Sequence, residues 1–222
     1  MLCTDSGSGV FHRIFNIGHA YIPQISMTIN ELSEFVWQNS LSIDFGAKPT
    51  WNVNLFLQEE WAKSQSFSDK WLEASSGWYW FLIEMSYDEL HKIKKPPTLP
   101  EKGCDIGLLT HEHLGIFGNS LLCSPLTDNM LVIYNGHEKN VTSRIRSHFA
   151  LNNQKTGAIG IKHYPLSLRR WQVRFFSLPC IPPDTEKNIQ DALGLLINSK
   201  PGRCAIETAW RSNNGWPILC KE

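Results

Sequence analysis

Apolar side chains recur at two different periods along this chain, and the change of period divides it. In INELSEFVWQ, Ile29, Leu32, Phe35 and Val36 fall on one face of an α-helix. Thr28 followed by Glu31 supplies the reciprocal cap that opens it. A second helical stretch over 54–73 carries Leu55, Phe56, Trp61, Phe67 and Trp71, with a break near Ser66. These aromatics are expected in the core. Residues 1–73 therefore read as a mainly helical N-terminal extension after an irregular start.

From residue 74 the character changes. SGWYWFLIEMS is a short aromatic and apolar run bounded by Ser-Ser-Gly and by polar residues, the signature of a buried strand. Residues 86–102 give a short polar helix and then KIKKPPTLPEKG, whose three prolines end any regular element. Between 104 and 130, Gly, Leu and Ile mixed with turn residues suggest short strands. NMLVIYNG is a second buried strand, and RRWQVRFFSL a third, with Trp171, Val173 and Phe175 alternating against Arg170, Gln172 and Arg174. A helix follows Pro182-Pro183-Asp184 and runs to about Ser199, where Pro201-Gly202 is expected to stop it. RCAIETAWR forms a last short helix, followed by the turn SNNGWP. Three strands with intervening helices and no repeat predict an α+β domain built on a small central sheet of about three core strands.

The helix in HEKNVTSRIRSHFAL is the most informative element. Val141, Ile145 and Phe149 recur every four residues and mark its buried stripe. Arg144 and His148, also four apart, share the adjoining face. An arginine and a histidine on one ledge beside a core stripe call for a chemical reason.

Charge sharpens the reading. The 21 basic and 21 acidic side chains cancel, but they are partitioned along the chain. Residues 1–73 hold four basic against eight acidic side chains, a net of −4; residues 74–130 stand at −3 and residues 131–222 at +7. Lys139, Arg144, Arg146, Lys155, Lys162, Arg169, Arg170 and Arg174 face a single acid, Glu138, between 131 and 183. Such a block is the footprint of a phosphate-binding surface, provided the fold sets it on one face, and otherwise an ordinary solvated basic surface. Six cysteines with no C-x-x-C pair argue against a zinc site and read as reduced thiols. His111-Glu112-His113 would point two imidazoles the same way on a strand, but two ligands are too few for a metal. No apolar run approaches the roughly 18 residues of a membrane span. The first residues lack the basic and apolar regions of a signal peptide, so a cytoplasmic protein that does not engage a membrane is expected.

Gly77-Trp78-Tyr79 on one strand, Tyr134-Asn135-Gly136 on the next, Arg144 and His148 on the following helix and Glu207 on a late helix form an ordered set. Over 74–222 this order resembles the GIY-YIG nuclease superfamily, above all its type II restriction endonucleases. The matching pattern is G-x-Y, then Y-x-G-x7-R-x3-H, then a glutamate. Trp78 and Asn135 replace the isoleucines of the family name. The 55 residues from Tyr79 to Tyr134 replace a short hairpin, so 86–130 counts as an insertion. The family's terminal Asn has Asn213, Asn214 or Cys220 as its counterpart here.

The resemblance implies a catalytic set of Tyr79, Tyr134, Arg144, His148 and Glu207, with Glu207 as ligand of Mg²⁺ or Mn²⁺. A single carboxylate suits such an ion because Mg²⁺ keeps several of its waters. Arg144 would pair with the scissile phosphate, the tyrosines would position or deprotonate the attacking water, and His148 would share in that proton transfer or orient a tyrosine. In a purely structural role, Glu207 would pair with Arg203 or Arg211. DNA contacts are expected from Lys139, Arg146, Lys155, Lys162, Arg169, Arg170 and Arg174. The expected activity is metal-dependent, sequence-specific cleavage of double-stranded DNA, of restriction or phage-defence type. It would pair with a homodimer on a palindromic site and a cognate DNA methyltransferase acting on that site. The competing readings are a catalytically inactive DNA-binding protein on the same fold and a homing or repair nuclease.

Overall fold

Every residue of β2 (Gly77–Ile83) is buried, and the rest of the molecule is arranged around this strand. The protein is described here by a computed structural model covering residues 27–46, 59–151, 157–165 and 169–221. Four strands form one antiparallel sheet in the order β1-β4-β2-β3: β1 is Leu41–Gly46, β3 Leu131–Glu138 and β4 Trp171–Ser177. The fold is thus α+β, with four strands where the sequence pattern predicts about three. The additional strand, LSIDFG, comes from the stretch read as helical and pairs along β4. At six residues, directly after a strong helix, its alternation is too short to stand out.

Register assigns each side chain to a face. Trp78 and Trp80 lie with Phe176 and Arg174, whereas Tyr79 and Phe81 lie with Phe175, Val173 and Tyr134. The first face is covered by α1 (Ile29–Gln38) and α8 (Lys200–Asn214), where Trp37 meets Trp80 at 5.2 Å and Trp210 at 5.3 Å. Aromatic pairs of this kind add about 0.5–1.5 kcal/mol each beyond the area they bury. The second face is covered by α6 (Val141–Ala150), whose Val141, Ile145 and Phe149 are fully buried, as their spacing predicts. Phe149 packs on Phe81 at 5.4 Å. The Thr28–Glu31 capping box is formed at the start of α1.

Residues 59–73 hold two short helices, α2 (Glu59–Lys63) and α3 (Ser68–Leu72), separated where the sequence indicates a break. The first part of that predicted helix, 54–58, lies outside the described residues. β1 completes the sheet and α1 packs on α8, so residues 27–46 share the core of the sheet.

The stretch between β2 and β3 is helical, and the short strands expected there do not form. α4 (Tyr87–His91) opens with a second capping box, Ser86 with Glu89, and α5 spans Ile106–Leu121 with a break in helical geometry at Gly118. Asp105 caps α5 through the Leu108 N–H at 3.1 Å. Ile106, Leu109 and Thr110 are its buried positions, a helical spacing masked by the glycines around it. His111 and His113 therefore diverge: His111 stacks on His91 at 5.1 Å, and His113 Nδ1 lies 2.7 Å from the Ile218 carbonyl.

Pro201-Gly202 also reads differently in three dimensions. α7 (Lys187–Asn198) ends before Ser199, and Ser199 caps α8 by accepting the Gly202 N–H at 3.0 Å. Pro201 sits in the first turn of α8, where its missing N–H costs nothing. The pair begins a helix instead of ending one, and that helix carries Glu207 and runs on to Asn214. Among the described residues no helix is long and apolar enough to cross a membrane.

Candidate active site at the edge of the sheet

Because β3 is an edge strand, side chains from both faces of the sheet meet around it. On the α6 side, Tyr79 and Tyr134 stack with ring centroids 6.1 Å apart. Gly136 pairs with Tyr79 across the ladder, and a Cβ there would stand 2.7 Å from the Tyr79 hydroxyl. The glycine of the second motif thus makes room for the tyrosine of the first. Gly77 has an equally local reason: a Cβ there would fall 2.0 Å from the Phe176 carbonyl of β4.

His148 is 1% exposed and lies behind the tyrosines, its Nε2 3.1 Å from the Tyr79 hydroxyl. Its Nδ1 accepts the Ile159 N–H at 3.3 Å. That bond fixes the tautomer: the ring proton sits on Nε2 and is donated to Tyr79. Burial, with Arg144 nearby, pushes the His148 pKa well below its ordinary value and keeps the ring neutral. The Arg144 guanidinium lies close enough to both phenols to favour their ionised forms. Arg144 also donates to the Gly157 carbonyl at 2.7 Å. Burial raises the pKa of both tyrosines, Tyr79 most strongly, against the opposing pull of Arg144. Both are neutral phenols at neutral pH, and ionising either requires additional positive charge.

On the other side of β3, Glu207 of α8 is bonded through Oε1 to Arg211 one turn later. Its Oε2 lies 3.7 Å from His137 Nε2. The Arg211 guanidinium also donates to Asn135 Oδ1 at 2.9 Å and covers the Trp216 ring at 4.4 Å. Cys220 closes the group, its Sγ 3.3 Å from Asn135 Oδ1. Burial raises the Glu207 pKa, opposed by Arg211, and burial lowers that of His137 with Arg203 contributing.

Tyr79, Tyr134, Arg144 and Glu207 line one polar cavity of about 180 Å³. Four of the five residues expected to act together are therefore together, and the fifth, His148, supports them from behind. Asn135, His137, Arg211 and Lys221 also line the cavity and were not singled out as functional. Arg211 alone had a signal, one helical turn after Glu207; the others are joined to the site only by the fold. Asn213 and Asn214 point away, toward Ser33 at 3.4 Å and Glu34 at 3.0 Å of α1, so Cys220 is the one of the three candidates that reaches the cavity.

The donor set fits a hydrated hard cation. Among the described residues no group of three or more His, Cys, Asp and Glu side chains is arranged to hold a metal; the carboxylates that line the cavity are Glu207 and Glu138. Glu207 Oε2 is turned from Arg211 and faces a polar space, and Mg²⁺ is commonly held by one or two carboxylates with water and phosphate oxygens completing the shell.

The basic block does not form one face. Arg146, on α6, has its guanidinium 5.6 Å from the Trp71 ring, while Arg174 is on the opposite face, 4.0 Å over Trp37 and bonded to the Trp37 carbonyl at 3.0 Å. Alternation along β4 is the reason, since Arg174 and Val173 must diverge. Arg170 forks onto Asp44 at 2.5 and 2.8 Å, and Arg169 pairs with Glu89 at 3.2 Å. Lys139 and Lys162 are exposed; Lys155 lies outside the described residues.

No family model, curated protein or solved structure matches the chain.

Proposed function

We propose that this chain is a Mg²⁺- or Mn²⁺-dependent endonuclease that cuts double-stranded DNA at specific sequences, of restriction or phage-defence type. The observation that carries the reading is the convergence of Tyr79, Tyr134, Arg144 and Glu207 on one polar cavity from residues spread over most of the chain. Arg144 binds the scissile phosphate through its planar fork and offsets the charge that grows on it. Tyr134 orients the attacking water and, as the phenolate left once its own proton has passed to solvent, takes that water's proton, while the leaving oxygen is protonated from solvent. His148 holds Tyr79 in place. Glu207 holds the cation, which when bound supplies charge to the phosphoryl oxygens and makes nearby phenol and water more acidic. Lys139 and Lys162 are the exposed cations for the flanking phosphates. A palindromic target pairs with a homodimer, and a cognate DNA methyltransferase protects the same site.

One observation favours the alternative of a DNA-binding protein without cleavage: Glu207 is already bonded to Arg211. Supercoiled plasmids of varied sequence, incubated with Mg²⁺ and then with EDTA, separate the two readings. The endonuclease produces fixed fragments only with Mg²⁺. Retarded but intact DNA under every metal condition supports the alternative.

A further inference from the structure

A second cavity, of about 190 Å³, adjoins the polar one and shares Tyr134 and Lys221 with it. One wall is Lys102, Gly103 and Cys104 from the segment between β2 and β3. That wall is fixed in place. Cys104 N–H donates to the Ala158 carbonyl at 3.0 Å, Ala158 N–H to the Lys102 carbonyl at 3.3 Å, and Tyr164 binds both the Cys104 carbonyl and the Ile106 N–H. Ala158, bridged to that segment, continues the lining with Gly157, Ile159, Leu219 and His148, and Tyr134 is shared with the polar cavity. Its surroundings are thus apolar side chains, the Cys104 thiol, the Tyr134 ring and the His148 imidazole, with two lysines among the lining residues.

We propose that this cavity receives one unstacked base of the strand being cut, the base belonging to a nucleotide that flanks the scissile phosphate. The inference rests on the endonuclease reading, because it places that phosphate at Arg144. Three features support it. Drug-sized sites run to about 300–1,000 Å³, so this smaller space suits one ring system with little besides. Apolar and aromatic walls suit the faces of a base. The shared residues Tyr134 and Lys221 make the cavity adjoin the one that Arg144 lines, and its lysines can meet the backbone. The segment between β2 and β3 thereby becomes part of target selection: it builds the wall that a base must pass to be held. Extruding a base costs least where its pairing is already weak.

The test uses the full chain. Plasmid cleavage in Mg²⁺ is first mapped by sequencing the ends. Synthetic duplexes of that site then carry 2-aminopurine at either nucleotide flanking the cut, or a mismatch opposite either nucleotide, and binding is measured with Ca²⁺ in place of Mg²⁺. At one flanking position the 2-aminopurine emission should rise at least threefold on binding, and the mismatch should tighten binding at least threefold. Ala158→Leu, which fills the cavity, should abolish both effects. Unchanged emission and unchanged affinity at both flanking positions in the unaltered protein overturn the proposal without recourse to any variant. So do effects that persist undiminished in Ala158→Leu. Absence of cleavage on every plasmid refutes the endonuclease reading itself, an outcome distinct from cleavage without base capture.

Discussion

His148 Nε2 lies 3.1 Å from the Tyr79 hydroxyl, and the Ile159 N–H on the other ring nitrogen makes that contact a donation from histidine to tyrosine. The candidate site therefore has a polarity set by one backbone amide outside it. Protonating His148 would break the Ile159 bond and place a charge in the core next to Arg144.

Stability should consequently depend on pH in a defined direction. The folded-state pKa of His148 is depressed below 6.5, so its contribution is fully present above that pH and is lost as the pH falls toward the folded value. His148→Gln, which keeps a donor for Tyr79, should lessen the loss of stability below pH 6.5 by at most about 1.4 kcal/mol per pH unit. Urea unfolding at several pH values measures the slope. Equal slopes in the two proteins would mean that His148 does not titrate as the buried neutral ring described.

Gly77 and Gly136 belong to two similar tripeptides but should fail differently. Gly77→Ala drives a Cβ into a backbone carbonyl that cannot move aside, so folding should suffer by about 3 kcal/mol or more. Gly136→Ala meets the tip of the Tyr79 side chain, which can swing away at a cost of about 1–3 kcal/mol. Its main effect should be on DNA cleavage, through the lost Tyr79–His148 contact. Denaturant midpoints and cleavage rates together distinguish the two.

Arg211 is the partner that makes a half-buried carboxylate tolerable. Arg211→Met should destabilise the protein by about 3 kcal/mol, because Glu207 and Asn135 both lose their donor. Adding Glu207→Gln should recover a large part of that loss. Simple additivity in the double-mutant cycle would show that the pair contributes little.

Much of this arrangement was readable from residue order and some of it was not. The stripe of Val141, Ile145 and Phe149 dictates α6, and the fixed offsets from Tyr134 to Arg144 and His148 follow from strand, turn and helix geometry. Arg211 could be expected beside Glu207 from helical spacing, but its meeting with Asn135 and Cys220 could not, because the three come together only after the chain has returned to β3. The α5 stripe was obscured by its glycines, of which Gly107 has a tertiary purpose: a Cβ there would fall 2.0 Å from the Ile93 carbonyl. The basic block misled for a related reason. Charge counted along the chain ignores the alternation of β4, which sends Arg174 to Trp37 and away from Arg144.

The hydrolysis of DNA proposed for Glu207 and its neighbours is tested by the Mg²⁺-dependent cleavage rate of one supercoiled plasmid with the unaltered protein and with Glu207→Ala, the folding of both verified by their unfolding curves. The former should cleave, and the latter should be slower by at least about 100-fold. Cleavage by Glu207→Ala at the unaltered rate would contradict that proposal.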